Sequence, residues 1–147
     1  MHLLFASDHA GFDLKRLLAA HARGRGFEVH DLGTHVADAC DYPDLAHELA
    51  RRLVGGEGER GVLVCGTGIG MAMVANRHPG VRAAVCHDAF TAEAARRHND
   101  ANVLCLGGRT TGPGVAIQIL EIFLTTPFDG GRHERRLEKI ERKEKQR

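Results

Sequence analysis

A cysteine, a hydroxyl group and three glycines follow an apolar stretch in residues 61–70, which read GVLVCGTGIG. The apolar stretch predicts a buried strand that ends at Cys65, and residues 70–77 predict a helix. Cys65 and Thr67 are therefore expected at a strand-to-helix turn, where glycines let main-chain N–H groups approach a ligand. A thiol beside such donors can act as a base or a nucleophile, and the donors can stabilise an oxyanion. This turn predicts chemistry on a negatively charged small molecule.

The same loop has other interpretations. A dinucleotide-binding G-x-G-x-x-G fingerprint requires a glycine where this chain has Met71, and a Walker loop requires a Gly-Lys-Ser or Gly-Lys-Thr ending that the sequence lacks. A free cysteine is also commonly a small buried apolar side chain. From the residues alone that alternative stays open for Cys65. It is favoured for Cys86 and Cys105, which lie near strand ends without a glycine loop.

Polar side chains also follow the first predicted strand. Asp8 and His9 come directly after it, so they share the carboxyl edge of the sheet with Cys65. A carboxylate beside an imidazole suits sugar hydroxyls and a phosphate group. Asp8 is equally suited to cap the following helix.

Three arginines are candidates for binding a phosphate dianion. Arg109 follows the fifth predicted strand, and Arg132 and Arg136 are four residues apart, so they share one face of a predicted C-terminal helix. Guanidinium groups bind phosphate through paired hydrogen bonds. For each arginine alone, ordinary solvated charge is the simpler explanation, and only the combination favours a phosphate site.

His98 and Asn99 raise a conflict of position. They precede the fifth predicted strand, so the topology places them at the amino-terminal edge of the sheet, opposite Cys65. A homodimer in which His98 of one subunit serves Cys65 of its neighbour resolves the conflict. We therefore expect a homodimer with shared active sites.

Strand and helix patterns alternate along the whole chain, which we expect to form one domain over residues 1–147. The predicted strands are 2–6, 27–32, 61–65, 82–86 and 102–106, and the predicted helices are 11–23, 43–54, 70–77, 89–98 and 112–125. Such β-α units predict an α/β fold, a Rossmann-like, doubly wound, five-stranded parallel sheet with helices on both faces. A charged helix at about 132–147 is expected to pack weakly or on a partner subunit. On the first helix, Lys15, Arg16 and Arg23 are expected to face water.

Composition excludes several classes of protein. The formal net charge of +1 argues against a nucleic-acid partner. The four cysteines form no C-x-x-C pair, so we expect free thiols in a reducing cytoplasm and no zinc ribbon. No apolar stretch reaches the ~20 residues of a membrane span, and the amino-terminal residues lack the pattern of a signal peptide.

The chain as a whole resembles the family of ribose-5-phosphate isomerase B and the galactose-6-phosphate isomerase subunits. Seven segments carry the resemblance, in the family's order: residues 7–12, 41–43, 65–70, 75–76, 82–83, 98–104 and 130–133. One branch of the family has a glutamate at the position of Met71. Because this chain has Cys65 and Met71, it resembles the cysteine branch.

The resemblance implies a cofactor-free, metal-free aldose-ketose isomerase of the pentose phosphate pathway. It would interconvert ribose 5-phosphate and ribulose 5-phosphate through a cis-enediolate, with Cys65 as the base, Thr67 assisting it and His98 opening the furanose ring. The enediolate oxygen would be stabilised by the main-chain amides of Gly66, Thr67, Gly68, Ile69 and Gly70. Sugar oxygens would be held by Asp8 and Asn99, and the phosphate by His9, Arg109, Arg132 and Arg136.

Two alternatives remain open at this stage. The first is a hexose-6-phosphate isomerase of the same family, acting on galactose 6-phosphate or allose 6-phosphate. The second is a non-catalytic module that binds a sugar phosphate or a nucleotide. The sequence also leaves open whether dimers assemble further into a dimer of dimers.

Overall fold

The computed structural model describes residues 1–141, in which five parallel strands are covered by helices on both faces. The strands are β1 (His2–Ser7), β2 (Glu28–Asp31), β3 (Arg60–Cys65), β4 (Ala83–Val85) and β5 (Val103–Gly107). The helices are α1 (Phe12–Gly24), α2 (Tyr42–Val54), α3 (Ile69–Ala75), α4 (Ala89–Asn99), α5 (Pro113–Thr125) and α6 (Arg132–Glu141). The predicted α/β fold is confirmed. The predicted C-terminal helix is present as far as Glu141, and its remainder lies outside the described residues.

The strand order is β2-β1-β3-β5-β4, so β5 lies between β3 and β4. In the parallel register Ser7 lies opposite Val64, and Cys65 lies opposite Gly107. The carboxyl ends of β1, β3 and β5 are therefore neighbours in the middle of the sheet. Loops that leave the carboxyl ends of neighbouring parallel strands form the usual ligand crevice of an open α/β sheet.

Side-chain alternation along the strands builds two apolar layers. Leu3 and Phe5 of β1 pack on one face of the sheet in a cluster with residues of α1, α4 and α5, whereas Leu4 and Ala6 pack on the other face with α2 and α3. Because both faces are covered, the central strands are continuous apolar runs. Cys65 belongs to the layer under α2 and α3.

The expectation for Lys15 is wrong. Its side chain is completely buried, and its ammonium group donates to Asp31 Oδ1 and to the carbonyl oxygen of Thr34, both at 2.6 Å. Arg16 and Arg23 are exposed, as expected. The helical pattern misplaced Lys15 because β2 and the loop after it supply charged and polar partners that periodicity along α1 does not show.

The last helix is only loosely attached to the rest of the chain. It contacts α4, and His133 is its only buried side chain within the described residues, with Leu137 half-buried. Most of α6 is thus open to solvent. Within residues 1–141 no helix combines the length and the apolar composition needed to cross a membrane.

Candidate active site

The turn between β3 and α3 presents the sulfur of Cys65 to a main-chain donor. The N–H of Gly68 donates to Cys65 Sγ at 3.1 Å, and the side chain of Cys65 is almost buried. Gly68 has a φ of +80°, and a Cβ there would lie 3.0 Å from the main-chain nitrogen of Leu106, so the turn requires glycine. The turn therefore fixes the position of the sulfur by a main-chain hydrogen bond.

Thr67 and Ile69 complete this turn. Thr67 is exposed, and its hydroxyl oxygen accepts a hydrogen bond from the N–H of Ile69 at 3.3 Å. Two of the five amides expected to form an oxyanion site, those of Gly68 and Ile69, are thus bonded within the turn itself. The hydroxyl of Thr67 remains near the mouth of the site, where a substrate can reach it.

The buried cysteines Cys86 and Cys105 have a different environment. Burial raises the pKa of the Cys86 thiol to about 11 and raises the pKa of the Cys105 thiol as well. Both thiols are therefore protonated at neutral pH. Their environment fits apolar packing, the role favoured for them from the sequence.

Arg109 lies directly beside the turn because β5 is the neighbour of β3. The N–H of Gly108 donates to the carbonyl oxygen of Cys65 at 2.7 Å, and the N–H of Arg109 donates to that of Gly66 at 3.0 Å. The guanidinium group lies close to Gly66, since a Cβ on this glycine would be 3.4 Å from Arg109 Nη1. A positive charge thus stands next to the sulfur-bearing loop.

Asp8 and His9 occupy the same edge, at the end of β1. Asp8 is buried, its N–H donates to the carbonyl oxygen of Val64 at 3.2 Å, and its Oδ1 accepts from the N–H of Gly11 at 3.0 Å. His9 Nδ1 accepts the N–H of Cys40 at 3.3 Å. In a neutral imidazole this leaves the proton on Nε2, which is then a donor toward a ligand.

Tyr42 is a residue of this edge that the sequence analysis missed. It begins α2, and its ring packs against Gly70, since a Cβ at Gly70 would lie 2.6 Å from Tyr42 Cζ and 2.8 Å from its hydroxyl oxygen. Only glycine allows this approach. Tyr42 precedes a helix-start proline in the sequence, but no local pattern indicates that α2 brings it to the start of α3.

The remaining predicted site residues lie at the opposite edge. His98 and Asn99 end α4 and are exposed, and Arg132 and Arg136 are exposed on α6, which packs on α4. The whole length of β5 separates Asn99 from Arg109. One chain therefore brings Cys65, Thr67, Asp8, His9 and Arg109 to one edge and does not bring His98, Asn99, Arg132 and Arg136 to them.

The amino-terminal edge is electrostatically suited to an anion. The rings of His98 and His133 stack with centroids 4.6 Å apart and planes 14° from parallel. Burial lowers the pKa of His133, and the neighbouring His98, Arg132 and Arg136 lower it further. Three cationic or potentially cationic groups thus surround a neutral imidazole.

A metal centre does not fit this cluster, although His98, Asp129 and His133 have ligand atoms within 4.8 Å of one another. Both carboxylate oxygens of Asp129 accept from Arg97 Nε at 3.1 Å, and this arginine lowers the pKa of Asp129. Lone pairs of stacked imidazoles lie in parallel planes, so they do not converge on one ion. The arginines nearby also repel a cation.

Comparison with known proteins shows the family of this chain. Residues 3–140 match a family model described as Ribose/Galactose Isomerase. The chain belongs to the ribose/galactose isomerase family. Ribose-5-phosphate isomerase B of Escherichia coli strain K12 is 43% identical over 138 residues, which cover 94% of this chain and 93% of that protein.

Solved structures support membership of the ribose/galactose isomerase family. The structure of Clostridium thermocellum ribose-5-phosphate isomerase B matches with a TM-score of 0.95 at 45% identity, covering 96% of this chain and 95% of that one. Ribose-5-phosphate isomerase B from Mycoplasma genitalium, solved with bound ribulose-5-phosphate, matches with a TM-score of 0.91 at 42% identity. The match covers 95% of this chain and 93% of that one. The resemblance seen in the sequence motifs is thereby confirmed.

Proposed function

We propose that this chain interconverts D-ribose 5-phosphate and D-ribulose 5-phosphate, as a step of the pentose phosphate pathway. The observation that carries the proposal is the hydrogen bond from Gly68 to the Cys65 sulfur, at a carboxyl edge that also holds Asp8, His9 and Arg109. Support comes from the similar proteins named ribose-5-phosphate isomerase B and from the relative solved with bound ribulose-5-phosphate.

Cys65 acts as the base in this mechanism. Its thiolate removes the proton from C2 of the open-chain aldose, and the C2–H electrons form the C1–C2 double bond while the carbonyl oxygen on C1 becomes negative. The resulting cis-enediolate takes the proton back at C1, and the proton on O2 moves to O1, which leaves the ketose carbonyl at C2. Thr67 assists by exchanging the hydroxyl proton between the two oxygens. The reaction is redox-neutral, so its atoms and electrons balance without a co-reactant.

Main-chain amides stabilise the enediolate oxygen. The amides of Gly66, Thr67 and Gly70 serve the substrate, while those of Gly68 and Ile69 hold the Cys65 sulfur and the Thr67 hydroxyl in place. Gly70 is the second residue of α3, where an N–H has no acceptor within the helix. A single such donor typically contributes about 2.7 to 4 kcal/mol to lowering the barrier.

Substrate recognition is divided between the two edges. Asp8 holds sugar hydroxyls, and His9 and Arg109 bind the phosphate from the carboxyl edge. From the amino-terminal edge of a second subunit, His98 opens the furanose ring and Asn99 contacts sugar oxygens. Arg132 and Arg136 of that subunit complete the phosphate site.

The protein therefore functions as a homodimer with two shared active sites. Exposed apolar side chains support an interface near the carboxyl edge: Ile69 and Met73 on α3 are 53% and 63% exposed, and Phe90 at the start of α4 is 77% exposed. Burying them against a second copy removes apolar surface from water. With four free cysteines, a reducing cytoplasm is the compartment that suits this protein.

Assays of the purified protein on several phosphorylated sugars test the proposed function. We expect turnover of ribose 5-phosphate with the largest kcat/KM, and weaker turnover of allose 6-phosphate and galactose 6-phosphate. A larger kcat/KM for either hexose phosphate would assign the chain to the alternative substrate class. Absence of turnover with every one of these sugars would refute the proposed activity.

A further inference from the structure

The buried ammonium group of Lys15 holds the loop that follows β2. It donates to Asp31 Oδ1 and to the carbonyl oxygen of Thr34 at 2.6 Å each, and Asp31 Oδ1 also accepts the N–H of Gly33 at 2.9 Å. Lys15 is completely buried, and the Asp31 side chain is 23% exposed. A buried charge requires a fixed partner, so this pair sets the conformation of the chain at Gly33 and Thr34.

The same two loop residues hold the end of β1. The N–H of Ser7 donates to the carbonyl oxygen of Gly33, and the N–H of Thr34 donates to that of Ser7, both at 2.7 Å. Ser7 immediately precedes Asp8 and His9. The loop therefore fixes the direction in which the backbone leaves the sheet toward the two ligand-binding residues.

The far end of the loop contacts His9 itself. The N–H of Cys40 donates to His9 Nδ1 at 3.3 Å, which fixes the ring and leaves Nε2 to carry the proton. Lys15 thus reaches the binding edge through the main-chain hydrogen bonds at Ser7, and the same loop continues to Cys40, which contacts the imidazole. Asp31 ends β2, but neither Lys15 nor Asp31 is among the residues proposed to contact substrate.

We infer that Lys15 and Asp31 are positioning residues that set Asp8 and His9 for the sugar hydroxyls and the phosphate, an inference that rests on the proposed function. Misplacing a binding group by about 1 Å can change a rate about a hundredfold, so a pair outside the site can control binding. Cys65 ends β3, whereas the hydrogen bonds of Lys15 and Asp31 join α1, β2 and the loop after β2. Loss of the pair should therefore weaken substrate binding more than it slows proton transfer.

The test uses the full-length protein with Lys15→Met and, separately, Asp31→Asn. Asp31→Asn keeps an oxygen that can accept hydrogen bonds from Lys15 and Gly33. This variant should therefore still fold if Lys15→Met does not. We expect each variant to raise KM for ribose 5-phosphate about tenfold or more, with a smaller change in kcat. The rate of Cys65 alkylation by iodoacetamide should remain near that of the wild type.

A matched control and a readout without activity separate positioning from general stability. Glu121→Gln alters another polar contact of α1, the 2.6 Å hydrogen bond with His21, which does not touch the loop. It should lower the unfolding midpoint and leave KM unchanged. Nitrogen NMR of histidine-labelled protein should show His9 Nδ1 as an acceptor in the wild type and a changed His9 signal in Lys15→Met and Asp31→Asn.

The outcomes distinguish a positioning role of Lys15 and Asp31 from a role in stability alone. The inference is overturned if both variants keep the wild-type KM and His9 signal and lose only stability, as Glu121→Gln does. If the wild type turns over none of the phosphorylated sugars, the proposed function fails. The His9 signal in the variants still shows whether the buried pair positions the imidazole.

Discussion

The main-chain N–H of Gly68 donates to the sulfur of Cys65 across 3.1 Å. Both residues belong to the β3–α3 turn, so the proposed base and its hydrogen-bond donor are separated by only a few bonds of the same backbone. This relationship distinguishes Cys65 from Cys86 and Cys105, whose burial raises their thiol pKa values and favours the uncharged form. Among these three cysteines, only the sulfur of Cys65 accepts a main-chain hydrogen bond within the described residues.

Replacement of this sulfur should slow proton transfer strongly and retain binding. We expect Cys65→Ala to lower kcat for ribose 5-phosphate about 10²- to 10⁴-fold, the usual contribution of a general base, with KM near that of the wild type. Steady-state kinetics measure both constants. Cys86→Ala is the matched control and should affect stability alone. Wild-type kcat in Cys65→Ala would exclude this residue as the base.

Alkylation should discriminate among the cysteines. Because thiolates are the reactive form, Cys86, with a pKa of about 11, and Cys105 should stay unmodified by iodoacetamide at about pH 8. Activity should be lost in step with modification of Cys65, and ribulose 5-phosphate should slow both. Peptide mass spectrometry identifies the modified residue. Inactivation that follows modification of Cys86, or of the more accessible Cys40, instead would contradict the assignment.

The contact between Gly70 and Tyr42 should limit what position 70 accepts. Gly70→Ala places a Cβ 2.6 Å from Tyr42 Cζ, so the ring or the turn must move, and we expect a loss of about 1 to 3 kcal/mol in unfolding free energy together with a lower kcat. Gly114→Ala, at a helix position with no heavy atom within 4 Å of the added Cβ, is the control and should not destabilise. Restored kcat in Gly70→Ala/Tyr42→Ala would show that the ring causes the effect, and an unimpaired Gly70→Ala would contradict the packing.

A histidine pair should make stability depend on pH. His47 Nδ1 lies 2.8 Å from His78 Nε2, and burial lowers the pKa of His78, with His47 and Arg51 lowering it further. His78 therefore binds a proton more readily in the unfolded chain than in the folded one. Its contribution to folding stability is present above the ordinary pKa of about 6.5 and is lost as the pH falls below it.

Urea unfolding at about pH 7.5 and about pH 5.5 measures this effect. The urea midpoint should fall on acidification, and the fall should be smaller for His78→Gln than for the wild type. His133, whose pKa is also lowered, contributes in the same direction, so a residual fall is expected in the variant. Equal falls in the two proteins would show that His78 does not contribute.

The fold was predictable because each buried strand is an apolar run and each helix is bounded by glycine, proline or polar residues. Strand order was not, since no local pattern shows that β5 inserts between β3 and β4 and brings Arg109 to the Cys65 loop. Lys15 and Tyr42 were misjudged or missed for a related reason, because their partners are distant in sequence. The position of His98 before β5 was enough to predict its separation from Cys65.

The central claim is that each active site combines Cys65 of one subunit with Arg132 and Arg136 of the other. Mixing subunits tests it most directly. Cys65→Ala and the double variant Arg132→Ala/Arg136→Ala, each nearly inactive, are refolded together in equal amounts. Half of the dimers are then hybrids, and in each hybrid one of two sites carries both intact groups, so about a quarter of wild-type activity should return.

The control mixture pairs Cys65→Ala with Arg109→Ala. Each site takes both Cys65 and Arg109 from the same chain, so every hybrid site lacks one of the two groups and no activity should return. The account predicts about a quarter of wild-type activity in the first mixture and none in the second. A first mixture that stays as inactive as its parents, although light scattering shows hybrid dimers, would contradict the shared site.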